Sequence, residues 1–151
     1  MVQGKFLWAG LVALISLFVS SQLFAQAEVI EKRQSLMKGQ SAAAKAIKSA
    51  VEAKDYATIE TKAKDLMGSA DKIVDHFPKG STQGKTKALG AIWDKTDDFS
   101  KGAKNLRKAA SELADTAKSG DGAAVGVKVK ALSAACKGCH EPFRAEKYSG
   151  E

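Results

Sequence analysis

The stretch AAVGVKVKALSAACKGCHEPF, residues 123–143, decides the fold. Its apolar members Val125, Val129, Leu132, Cys136, Cys139 and Phe143 recur at steps of three and four, the spacing of one helical face rather than the alternation of a half-buried strand. The spacing predicts a helix from about Ala123 to Lys147. Immediately upstream, Ser119-Gly120-Asp121-Gly122 breaks the chain. Before that break, from about Asp97 to Lys118, a second segment puts Phe99, Ala103, Leu106, Ala110, Leu113 and Ala117 on one face. The clearest stripe lies further back, where Ile59, Ala63, Leu66, Met67, Ala70, Ile73, Val74 and Phe77 follow one another at helical spacing. Asp55 is its expected N-cap, and Pro78 with Gly80 its stop.

The remaining periodic segment, about Ile30 to Ala53, is mostly alanine, with Met37, Ile47 and Val51 as its larger apolar residues. Between Lys79 and Ile92 the chain is rich in Gly, Ser, Thr and Lys. That composition predicts a long surface connection with a short helical turn near Ala88 to Trp93. Four amphipathic helices predict an all-α protein, an antiparallel four-helix bundle. Alanine at so many core-facing positions leaves two readings open: a tightly packed bundle, or a core left under-filled for a large apolar cofactor.

The chain has 151 residues, the size of one domain. Its start differs in kind from the rest. Met1 to Lys5 carries one positive charge, Phe6 to Val19 is nearly all apolar, and Ala25-Gln26-Ala27 supplies small residues two apart. This is the pattern of a secretory signal peptide. We therefore expect a signal segment at 1–27, cleaved after Ala27 or Ala25, a four-helix-bundle domain at 28–151, and a periplasmic location. The apolar run breaks at Ser20-Ser21-Gln22, short of the ~20 residues that span a bilayer, so membrane contact would come only through an uncleaved segment.

The formal net charge is +7, which favours acidic partners. Asp and Glu are interleaved with the lysines and there is no aromatic ladder, so a nucleic-acid surface is not expected. No paired carboxylates, Ser/His/Asp set or phosphate-cradling loop stands out, and an enzyme is not expected either.

The chemistry is concentrated in Cys136-Lys137-Gly138-Cys139-His140. C-x-x-C-H is the attachment signature of a c-type haem: two thiols on one helical turn form thioethers, and the adjacent histidine reaches the iron. A thioredoxin-type pair would need a βαβ context and a helix N-terminus. A zinc site would need a fourth ligand, and His76 is the only other histidine. His76 itself is expected to meet carbonyls at the end of its helix. A disulfide would strain a small loop inside a helix. A haem-free thiol switch is the remaining alternative of a different class.

With C-x-x-C-H near the C-terminus of a four-helix chain, the sequence resembles the class II cytochromes c, the cytochrome c-prime and cytochrome c-556 family. Other landmarks of the resemblance are Arg33-Gln34-x-x-Met37-Lys38, Phe77-Pro78-Lys79-Gly80-Ser81, Ala91-Ile92-Trp93-Asp94 with Phe99, and Phe143-Arg144 after the motif. The resemblance implies one covalent haem c held by Cys136 and Cys139, with His140 on the iron. It implies that the Met37 position faces the other side of the haem. A thioether there can complete a six-coordinate, low-spin iron suited to carrying single electrons, which is the expectation adopted here. The alternative is a five-coordinate iron that binds nitric oxide or carbon monoxide, with Met37 a packing residue. Family likeness further implies haem contacts from Arg33 and Gln34 to the propionates, Trp93 at the haem edge, and Arg144 on the proximal side. It also implies redox partners with acidic docking surfaces, and a possible homodimer formed through the first two helices.

Overall fold

The computed structural model describes the backbone of residues 3–147 and the side chains of residues 26–147. Among these the chain is all-helical: α1 (Gln3–Ala53), α2 (Tyr56–Ala70), a 3-10 turn (Val74–His76), a one-turn α3 (Ala91–Asp94), α4 (Thr96–Ala117) and α5 (Gly122–Phe143). The expected antiparallel four-helix bundle is what forms, from α1, α2, α4 and α5.

Each link between helices has a local cause. Lys54 turns left-handed (φ 56°), and the Asp55 amide reaches back to the Ala50 carbonyl at 2.8 Å, which closes the end of α1. Asp55 then opens α2 by accepting from the Thr58 amide at 3.0 Å and the Thr58 hydroxyl at 2.6 Å. Those two bonds hold its carboxyl below the usual carboxylate range. Between α4 and α5, Gly120 adopts φ 69°, and Asp121 caps α5 by accepting from the Ala123 and Ala124 amides.

Three boundaries differ from the sequence expectation. α1 begins at Gln3 rather than near Ile30, since no proline separates the two apolar regions and the intervening Gln, Ala and Leu residues favour helix. The expected signal segment at 1–27 lies almost wholly outside the residues whose side chains are described. α2 ends at Ala70, not Phe77. Beyond it, the amides of Lys72, Ile73, His76 and Phe77 all bond to the carbonyl three residues back, so the backbone tightens into 3-10 geometry. α5 stops at Phe143 rather than Lys147. Arg144 turns extended and pairs with Ala88 as an isolated bridge, fixed by Leu89 N–H to Phe143 O and Ala145 N–H to Lys87 O.

The core follows the stripes. Ile59, Ala63, Leu66 and Ala70 of α2 meet Phe99, Ala103, Leu106, Ala110, Leu113 and Ala117 of α4, all buried. Met67 packs against this core partly buried, as expected, whereas Val74 is exposed. Around the bundle, α1 packs on α2, α2 on α4 and α4 on α5, but α5 scarcely touches α1. Three seams are closed and the fourth is open.

Candidate haem site

The open seam contains a cavity of about 420 Å³. One wall is the C-terminal half of α5, with Cys136, Cys139, His140 and Phe143. The facing wall is α1, with Arg33, Gln34, Met37 and Ser41. Phe99, Gly102 and Leu106 of α4 form its floor, with Ile73, Phe77 and Ile92 beside them. The two expected ligand helices therefore face each other across one apolar space, and the lining is mainly carbon.

Cys136 and Cys139 carry free thiols, and burial pushes both up from the usual thiol range. A raised pKa keeps both protonated at neutral pH before any attachment, against a mainly apolar wall. Burial against the protein also pulls His140 below its usual value, and the charge of Arg144 adds to that. A neutral imidazole is the form that ligates a metal. Among the described residues, no three His, Cys, Asp or Glu side chains cluster to hold a bare metal ion. His76, away from this cavity, donates from Nδ1 to the Lys72 carbonyl at 2.8 Å, the carbonyl contact expected of it.

Arg33 is buried where its charge alone suggests an exposed side chain. Only 3% of it is exposed. Its Nη1 donates to Ser81 Oγ (3.1 Å), and its Nη2 to Ser81 O (2.9 Å) and Thr86 Oγ1 (3.0 Å). Its guanidinium lies over the Phe77 ring, 5.1 Å from the centroid. The Nε is buried with no partner. Burial alone pulls its pKa down, with no carboxylate among the described residues acting the other way. A buried cation with no anion among the described residues, and with a spare donor, sits on the wall of an apolar cavity. Gln34 next to it donates to Lys85 O at 2.9 Å, so both residues also bolt the 79–90 connection to α1.

Trp93 does not line the cavity. Its indole N–H donates to the carbonyls of Phe77 (3.1 Å) and Pro78 (2.9 Å), and the neighbouring Ile92 lines the wall. Trp93 instead backs Phe77, the first ring of a stack that runs on to Phe99 and Phe143 with centroids 4.9 and 5.3 Å apart. Arg144 does line the cavity, at the end of α5.

These residues fit a covalent haem. Two protonated thiols and a neutral imidazole share one wall, the cavity is mainly apolar, and the buried Arg33 has no carboxylate partner among the described residues to compete with a haem propionate. The donor set would supply two thioethers and one nitrogen ligand from a single helical turn.

A family model described as cytochrome C′ matches residues 28–144. The cytochrome c′ of Rhodospirillum rubrum is 39% identical over 85 residues, covering 56% of this chain and 58% of that protein, so the match spans a little over half of that relative's length. The cytochrome c′ of Rhodopseudomonas palustris is 34% identical over 143 residues, covering 92% of this chain and 94% of that one. Among solved structures, cytochrome c′ from Thermochromatium tepidum superposes with a TM-score of 0.74 at 27% identity, covering 80% of this chain and 97% of that one.

Proposed function

Given that this chain belongs to the cytochrome c′ family and binds one covalent haem c, we propose that it is an exported gas-binding cytochrome. Cys136 and Cys139 tether the haem, His140 ligates its iron, and the α1 side is left for nitric oxide or carbon monoxide. The haem supplies a redox-active iron with a coordination position free for a small ligand. The observation that carries this reading is the open α1–α5 seam. Its α1 wall offers no imidazole or carboxylate, and Met37 there packs against buried core residues. Membership of the cytochrome c′ family supports this alternative over the low-spin carrier expected from Met37.

The chain's own residues prepare the site. His140 stays neutral through desolvation, so no proton has to leave before it can ligate. Arg33 offers its charge and free Nε to the propionates, and the Ser81 and Thr86 bonds fix its direction. Gln34 holds the neighbouring connection. Arg144 raises the positive potential beside His140. Phe99, Leu106 and Ile73 exclude water from the floor, which strengthens these interactions.

A second reading, a low-spin electron carrier, is supported by one observation: Met37 lines the same cavity as His140 from the opposite helix. Spectra of the reduced holoprotein with and without carbon monoxide separate the two. A high-spin spectrum that carbon monoxide converts completely is expected. A low-spin spectrum that resists carbon monoxide, and turns high-spin in Met37→Ala, would replace the first reading with the second.

Periplasmic location follows from the 1–27 pattern and is tested by the N-terminus of the exported protein. A homodimer through α1 and α2 is supported by the surface groove that Leu36, Ala43 and Leu66 line between them, and sedimentation of the holoprotein tests it. Acidic redox partners are supported by the cavity's basic lining, Arg33, Lys38, Lys87 and Arg144, with no acidic residue among them. Binding that weakens with ionic strength is the expected sign.

A further inference from the structure

Phe99, Gly102 and Leu106 present one stripe of α4 to the cavity, and its middle position is glycine. Mid-helix glycine carries a conformational cost, and Gly102 has ordinary helical backbone, so its geometry does not require it. The reason lies across the seam to α5. A Cβ built on Gly102 would stand 2.8 Å from Cys139 Sγ, 3.2 Å from Cys139 Cβ and 3.8 Å from Cys139 Cα, its three nearest neighbours. Among the other helical glycines whose surroundings are described, Gly39, Gly68, Gly126 and Gly138 would meet nothing within 4 Å, and Gly122, at the first turn of α5, would meet only the Tyr56 hydroxyl, at 2.9 Å.

We propose that Gly102 is a positioning residue for haem attachment: its missing side chain is the clearance that the Cys139 sulfur needs once it is tethered. The inference rests on the covalent-haem reading above. A free Cys139 thiol escapes a methyl group at position 102 by rotating to another staggered well. A tethered sulfur has lost that freedom, because its second bond points at a fixed carbon. The thiol adds across a vinyl double bond: the S–C bond forms at the inner carbon, the π bond breaks, and the thiol hydrogen ends on the terminal carbon. No oxidant or reductant is consumed. The demand for space at Gly102 is therefore made by the second thioether and not by the fold alone. Substitution there should act on Cys139 and spare Cys136.

The test is Gly102→Ala in the exported holoprotein, with Gly68→Ala as the helix-glycine control. In Gly102→Ala, the pyridine haemochrome band is expected to move to longer wavelength, the sign of one unsaturated vinyl. Mass spectrometry is expected to show haem still attached through Cys136 and one alkylatable thiol at Cys139. Gly68→Ala should keep both thioethers. Two intact thioethers and an unshifted band in Gly102→Ala would overturn the proposal. Should Gly102→Ala accumulate poorly, the substitution is made in a Cys139→Ala background. There it should cost no further haem, and an added loss would show a general packing role and also overturn the proposal. Parental protein lacking any haem mass would instead overturn the covalent-haem reading.

Discussion

The bundle has two kinds of seam. Where α2 meets α4, alanines alternate with larger residues, and Ile59, Ala63, Ala110 and Leu113 are completely buried. Where α1 faces α5, the helices stand apart around a cavity, and the facing residues are Arg33, Gln34, Met37, the two cysteines and His140. The same alanine-rich composition serves both. At the closed seams it lets helix backbones approach and interlock. At the open seam no described side chain fills the gap, and a bundle with one unpacked side gains packing when something occupies it. Stability at the closed seams should be a property of the polypeptide, and stability at the open seam a property of the polypeptide with its haem.

That contrast can be broken by substitutions on each side. The largest effect is expected from Cys136→Ala with Cys139→Ala. The mass should lack covalent haem, and the loss of folded stability should exceed about 4 kcal/mol, the stabilisation given by a ligand present at a thousand times its Kd. Leu113→Ala, at a closed seam, should cost about 3 kcal/mol and lower the Tm by on the order of 10 °C. The cost should be the same with and without haem, and a haem-dependent cost would erase the distinction between seams.

Arg33→Met should split by state. In the haem-free chain it removes three hydrogen bonds but also the desolvation of a buried charge, and should cost less than in the holoprotein. In the holoprotein it removes charge-assisted bonds and should cost about 2 kcal/mol in denaturant unfolding. Asp121→Ala should cost about 1 kcal/mol in either state, because it removes only the cap of α5.

The smallest effect is one of pH. Glu112 bonds Lys128 across the closed α4–α5 seam at 2.9 Å, and that bond, with the charge of Lys128, lowers its pKa. A depressed folded-state value means that the contribution is complete above the unfolded pKa and is lost as pH falls through the folded one. Glu112→Gln should therefore differ from the parent at neutral pH, and the difference should vanish in acid.

Much of the closed half was legible in the sequence. The α4 stripe is buried residue for residue, and Asp55 caps α2 as its position suggested, because periodicity and caps are local properties of the chain. The walls of the open half were legible in part: the C-x-x-C-H turn and Met37 do line one cavity. Arg33 was named as a propionate contact by resemblance alone, and its burial was not legible because it depends on Ser81 and Thr86, some fifty residues away. The early ends of α2 and α5 were hidden for a similar reason. The pairing of Arg144 with Ala88 cannot be read from the apolar stripe, which by itself predicts more helix. Trp93 was placed at the haem edge by resemblance, and its N–H bonds to the carbonyls of Phe77 and Pro78 were not legible because they come from a turn 15 to 16 residues earlier. Gly102 gave no signal at all, because what makes it special is a sulfur on another helix.

The strap that joins the 79–90 connection to both α1 and the end of α5 bears on the order in which the molecule is made. Its bonds link positions 48 to 59 residues apart in sequence, and the cavity it closes draws on both ends of the chain. Long loops must close before such contacts return anything, so they are the slow step of assembly. A nascent chain can pack α1, α2 and α4 while α5 is still emerging. The site comes into being only with the last helix, so a chain clipped before α5 would keep much of its core and have nowhere to carry a haem.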